Sequence, residues 1–186
     1  MIGKKNIVFG FLFLVTTAAL GPLMVQKYET VFTVLAEKQQ TVGRLQSLSV
    51  NEFEEELEAL SDGAIARANT AGILTLNKLL NAQYDINFIR GGPHAHGNLE
   101  SMLNIVVGVV LCFLALSPLV KQVISWMFIV GTLLHSGAAY LGTVFGLGWA
   151  NAILQTGVGP GLILLGLLIM GIASYTAFQG RLVHDT

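Results

Sequence analysis

A chain of 186 residues with 53% hydrophobic and only 11% charged side chains has too little polar surface for a soluble domain, and its positive mean hydropathy puts it in a membrane. A net charge of −1 gives no reason to look for the basic surface of a nucleic-acid binder, so no nucleic-acid partner is expected. The single cysteine, Cys112, sits inside an apolar run, which excludes an intrachain disulfide and a cysteine-based zinc site.

The chain opens with an apolar run over about residues 7–25, preceded by Lys4 and Lys5. A signal peptide shares this charged-then-apolar order. No small-residue cleavage site closes the run, so residues 1–25 are expected to be a retained first transmembrane helix. From residue 26 to 93 the composition turns polar and acidic, with six Lys or Arg against nine Asp or Glu between residues 26 and 90. Helical spacing of Tyr28, Phe32 and Leu35 marks one amphipathic segment. Ser49-Val50-Asn51-Glu52 reads as a capping box that opens a second helix, with Phe53, Leu57 and Leu60 on one face. A further segment runs through Ile65, Ile73, Leu76, Leu79 and Leu80. The expectation is a helical, extracytoplasmic insert. Helices of this length form a hairpin with a small core and pack on one another, on a neighbouring protomer or on the bilayer surface. The run Glu54, Glu55, Glu56 and Glu58 is either a solvated helix face or a docking surface for a metal or a protein partner such as a cytochrome.

Residues 94–186 carry three more spans, at about 98–116, 123–141 and 157–178, separated by Ser117-Pro118 with Lys121 and by a glycine-rich segment over 142–156. Placing Lys4, Lys5, Lys121 and Arg181 on one side satisfies the positive-inside rule, with both termini cytoplasmic and the insert outside. The fold class expected is therefore all-α, an integral membrane four-helix bundle with a helical extramembrane insert between helices one and two.

The chemistry-bearing residues gather at the mouth of the second span, in the stretch from Gly91 to Asn104. His96, Glu100 and Asn104 recur every four residues, so they share one helix face and enter the bilayer in turn. An ionisable group at that depth is a functional-site hypothesis that requires a named partner. On the third span Thr132, Ser136 and Tyr140 form a second four-residue stripe, with His135 one position off it. Antiparallel packing then sets His96 against Tyr140, and Asn104 beside Thr132 and His135 about two turns further in. Such an array suits a metal cofactor with an apolar rim, since neutral imidazole is the commonest metal ligand and a single axial histidine is how haem iron is often held. A membrane histidine also serves as a plain interhelix hydrogen-bonding contact. His94 and His96 form His-x-His, and Met102 nearby suggests copper, although Met102 lies off the His96 face. Glu100 pairs with Arg90, orients a ligand histidine, or works as an acid or base. The glycines at 142, 146, 148, 157, 159 and 161 favour close backbone packing.

Taken together, Ala95-His96-Gly97, Leu103-Asn104, Ser136 with Tyr140, and Gly159-Pro160-Gly161, in that order, resemble the styrene oxide isomerases, small bacterial membrane proteins with four transmembrane helices. The resemblance implies a homotrimer in the bacterial inner membrane with haem b near the protomer interface and iron held by His96. It also implies Lewis-acid isomerisation of a small epoxide, with Asn104 and Tyr140 positioning the substrate and Glu100 and Ser136 in the cofactor pocket. The family has a shorter His-to-Asn spacing, an amide where Ser136 stands, and no acidic insert. His135 is additional. As a second iron ligand it would turn an open Lewis-acid site into a closed bis-histidine site, the signature of the competing reading: a b-type membrane cytochrome or an accessory subunit of a respiratory or monooxygenase complex.

Overall fold

The computed structural model describes residues 1–55 and 58–185, nearly all of them helical. The chain divides into two compact units, one made of Met1–Gly21 with the segment from Phe88 onward, the other of Pro22–Asn87.

The first unit is built on α1 (Gly3–Ala18), α4 (Ala95–Leu111), α5 (Pro118–Thr132), α6 (Ala138–Val144), α7 (Gly148–Gln155) and α8 (Val158–Ala177). Small residues let α1 and α4 touch backbone to backbone. A Cβ added to Gly3 would fall 2.0 Å from the Gly108 carbonyl oxygen, and one added to Gly10 would fall 2.6 Å from that of Ser101. Gly97 leaves room for the Thr17 side chain, whose methyl would lie 2.4 Å from an added Cβ. Membrane helices associate by this kind of packing, because lipid tails are as apolar as leucine and burial alone gives no preference for a protein neighbour. Deeper in, Val107, Leu111, Leu114, Ile124, Phe128, Ile163, Met170 and Ala173 form the apolar core shared by α4, α5 and α8.

Local sequence explains the joints. Ser117 caps α5, its hydroxyl accepting from the Val120 amide, and Pro118 occupies the first turn, where its missing N–H costs nothing. The chain after α8 folds back onto the end of α4: the Ala115 amide donates to Ala177, that of Gln179 to Phe113 and that of Val183 to Cys112. This return brings Asp185 to Lys121, whose ammonium is buried 2.6 Å from the carboxylate.

The second unit is an antiparallel hairpin of α2 (Leu20–Val50), from Pro22 onward, and α3 (Asp62–Ile89), up to Asn87. Its small core is Val31, Val34, Leu79 and Ile86, with Tyr28, Leu35 and Ala82 packed against it. Lys78 reaches Glu37 at 2.6 Å and Lys27 reaches Asp85 at 3.6 Å.

The expected helix opening at Ser49 does not form. Ser49 lies within α2, and the reversal follows at Glu52 and Phe53, both left-handed with φ of 53° and 64°. A two-residue ribbon, β1 (Glu54–Glu55) against β2 (Glu58–Ala59), comes next. Arg44 binds Glu55 bidentately at 3.1 and 2.8 Å, which holds the Arg44 guanidinium above and the Glu55 carboxyl below their ordinary values through that hydrogen bond. The start signal of α3 is Ser61, whose hydroxyl accepts from the Ala64 amide. Glu56 and Leu57, the remaining members of the acidic run and of the expected apolar face, lie outside the described residues.

Among the described residues, three helical stretches are long and apolar enough to cross a membrane: one within Gly3–Val50, Pro118–Val144, and Val158–Ala177. The second apolar span of the sequence is shorter than expected, because α4 has 17 residues and stops at Leu111. The glycine-rich 142–156 segment is not wholly a loop, since α7 lies within it.

Candidate metal centre

Two wide helical turns bracket the polar cluster. The first, Arg90–His94, contains Pro93 and a non-helical Gly92 (φ −86°, ψ −105°). Proline has no amide to give the ladder, so the helix kinks there before α4 begins. The second, Leu133–Gly137, interrupts the run from α5 into α6. A π-turn of this kind inserts one residue into a helix and is frequent at functional sites. Here it brings two consecutive side chains, His135 and Ser136, to one acceptor, Glu100.

Glu100 is only 4% exposed. Its Oε2 accepts from the Ser136 hydroxyl at 2.7 Å and its Oε1 lies 2.5 Å from His135 Nδ1. A carboxylate only accepts, so Nδ1 is the donor of this bond; in the neutral imidazole the lone pair then lies on Nε2. Glu100 therefore orients a histidine; among the described residues it makes no ion pair with Arg90. The ring of His96 lies beside that of His135, centroids 5.1 Å apart and planes inclined by 55°. One ligand atom from each of His96, Glu100 and His135 fits within 4.8 Å of the others, with His96 exposed, Glu100 buried and His135 between.

Close packing holds this arrangement from behind. A Cβ on Gly159, near the start of α8, would fall 2.6 Å from the His135 amide nitrogen, so only glycine lets α8 approach the turn that carries the histidine. Within Gly159-Pro160-Gly161 the steric need is thus at Gly159, whereas a Cβ at Gly161 would meet open space.

The sequence-expected residues distribute as follows. Asn104 is fully buried and engaged: its Nδ2 donates to the Glu100 carbonyl at 3.0 Å and to the Thr132 hydroxyl at 2.9 Å, while its Oδ1 accepts from Asn6 at 3.0 Å. The expected Asn104–Thr132 pairing is present, but His135 sits one turn nearer the mouth, with Glu100. The ring beside His96 is that of His135. Tyr140 is half-buried, its ring 6.1 Å from that of Phe145. His94 is committed elsewhere, Nδ1 donating to the Thr17 carbonyl at 3.0 Å, and Met102 is half-exposed to the outside, so the copper reading of His94, His96 and Met102 has no geometry behind it. On the Ser136 and Tyr140 face, Thr143 has a buried hydroxyl oxygen without a hydrogen-bond partner among the described residues.

Asn6 and Ser125 were not expected. Asn6 is fully buried, donating to Asn104 and to the Ser125 carbonyl at 3.1 Å and accepting from the Ser125 hydroxyl. The signal was an amide beside Lys5 at the edge of the first apolar run, where it reads as a flank.

Metal–nitrogen bonds of about 2.0 Å, with roughly 1.2 Å more to each ring centre, put two imidazoles on one tetrahedral ion ~5 Å apart and an axial pair across a porphyrin ~6.4 Å apart. The observed 5.1 Å fits convergence on one ion and is short for ligation from opposite faces of a haem. One imidazole on a haem iron remains compatible with the donor set. No family model, curated protein or solved structure matches the chain.

Proposed function

We propose that this chain is an integral membrane protein that carries iron, as haem b, at the His96/Glu100/His135 cluster and uses it as a Lewis acid on a small oxygenated substrate, in the manner of the styrene oxide isomerases it resembles. The observation that carries the reading is Glu100: a carboxylate almost fully buried among apolar helices, both oxygens taken, beside two imidazoles whose ligand atoms converge. A buried carboxylate that fixes an imidazole by a hydrogen bond is the usual outer-shell partner of a metal-ligating histidine. When bound, the iron supplies polarisation of a substrate oxygen. The chain's own part is to hold that group, exclude water through the apolar bundle, and present polar side chains beside it; Tyr140, half-buried on the same helix run, is the hydroxyl this reading assigns to the substrate. Asn104 acts instead as the interhelix lock. In this reading the four apolar segments all cross the bilayer, α4 being extended at its mouth by the Arg90–His94 turn. The homotrimer, the cytoplasmic termini and an acidic insert facing a protein partner belong to the same proposal.

A second reading draws on the 5.1 Å ring spacing, which favours a non-haem divalent ion gripped by both imidazoles. The same spacing argues against the bis-histidine cytochrome. Purified protein from haem-supplemented cells, examined by absorption spectroscopy and elemental analysis, separates the cases. A Soret band with stoichiometric iron supports haem b; zinc or iron without a Soret band supports the non-haem site; no metal under either condition overturns both.

A further inference from the structure

We infer that His135, not His96, is the anchoring ligand of this centre, with Glu100 as the positioning residue that acts through it. The inference rests on the metal reading above but makes a separate claim about which imidazole bears the bond. The two histidines differ in what stands behind them. His135 has a carboxylate on Nδ1 at 2.5 Å, and that carboxylate is itself fixed by the Ser136 hydroxyl at 2.7 Å. An imidazole in this position is held in one orientation with Nε2 left for a ligand bond, which is the recurring arrangement of a ligand histidine with an outer-shell carboxylate. Its backbone is equally constrained, since the wide Leu133–Gly137 turn is pressed by Gly159 of α8. His96 has none of this. It is exposed, and among the described residues its ring lies against that of His135. Its imidazole is free to swing, so it suits a labile second ligand that yields its place to an incoming group.

The sequence alone pointed the other way, because His96 stands on the Glu100/Asn104 stripe and His135 one position off its own. The extra residue of the π-turn removes that distinction.

The test uses the full chain in detergent micelles, stripped and titrated with haemin, followed at the Soret band, and separately with Zn(II) against a chromophoric chelator. His135→Ala should lose binding of the probe that wild type takes up, and millimolar imidazole should restore it by filling the vacated place. Glu100→Gln, which keeps the shape and removes the charge, should weaken binding by about 10–100-fold, the usual effect of deleting an outer-shell partner. It should also alter the ligand-field bands of the bound haem, a change that a merely structural carboxylate would not produce. His96→Ala should bind within a few-fold of wild type. Loss of binding in His96→Ala with retention in His135→Ala overturns the assignment, as does unchanged affinity and spectrum in Glu100→Gln. Circular dichroism of each variant guards against misfolding. Failure of wild type to bind either probe removes the metal reading itself, and this inference with it.

Discussion

The ion pair between Lys121 and Asp185 is the interaction whose removal should be felt most sharply in stability. Lys121 is 1% exposed and the Asp185 side chain 9%, with Nζ and Oδ1 at 2.6 Å. Asp185 also accepts from the Ile2 amide at 2.6 Å. Removing one partner of a buried pair leaves the other charge without compensation, at a cost of about 3–5 kcal/mol. The tail that carries Asp185 can peel from the bundle, however, because backbone bonds at Gln179 and Val183 are what hold it. Once it peels, water reaches the ammonium and the penalty is capped, so Asp185→Ala is expected at the lower end, ~3 kcal/mol. Replacing both residues, Lys121→Met with Asp185→Ala, removes the stranded charge and should return stability to within about 1 kcal/mol of wild type, since a well-packed apolar substitute for a buried pair is often neutral. The assay is reversible unfolding in mixed micelles followed by helicity, run as a double-mutant cycle. If Asp185→Ala unfolds within about 0.5 kcal/mol of wild type, or the double variant is no better than the single, the buried-charge argument is wrong.

Acid should expose the same pair. Burial pushes the Asp185 carboxyl up, but the hydrogen bond from Lys121 and that from the Ile2 amide outweigh it and hold it below its ordinary value. A carboxyl depressed in the folded state contributes its stability above the unfolded value, near pH 4, and loses it as pH falls through the folded value. Unfolding midpoints should therefore be flat from neutral pH to about pH 5 and fall below about pH 4, and Asp185→Ala should remove that acid limb. Asn104→Leu removes the side-chain bonds to Asn6, to Thr132 and to the Glu100 carbonyl, two of them between helices; interhelix bonds in membranes contribute about 0.6–2 kcal/mol each, so unfolding should shift by a few kcal/mol, and a neutral result would show that the network is dispensable. Gly108→Val meets the Gly3 carbonyl oxygen already at its Cβ, 2.6 Å away, and should separate α1 from α4, read as lost cross-linking between cysteines placed on the two helices. Gly159→Ala should displace the His135 turn and weaken metal binding while helicity is retained, by titration as above.

Much of the architecture was written in hydropathy. The apolar runs, the polar insert and the four-residue stripes follow from periods that a chain cannot hide, and the pairing of Asn104 with Thr132 followed from antiparallel register alone. What escaped were the places where the backbone leaves its regular period. The spacing at Ser49 to Glu52 reads as a capping box that starts a helix; the chain reverses instead, and Arg44, eleven residues before Glu55 in the chain, favours the reversal with its bidentate grip. The π-turn at Leu133–Gly137 has no consensus, and it alone decides that His135 joins Glu100. Asn6 was invisible for a different reason: a buried amide at a span edge has the same sequence as a solvated flank, and only its partners on α4 and α5 distinguish them.

The two polar groupings of the first unit divide the work in a way that bears on the site. Asn6, Asn104, Ser125 and Thr132 are mutually satisfied side chains whose bonds run between α1, α4 and α5. Amides so saturated cannot reorient to meet a ligand, and so they fix the rotation of α4 about its axis. One turn away, that fixed rotation sets where Glu100 faces, and Glu100 in turn sets His135. The rigid end of the stripe is thus the buried one, and adjustability rises towards His96 at the exposed lip. Under the metal reading proposed above, this gradient would hold the ligand geometry from below and leave the exchangeable position at the exposed His96.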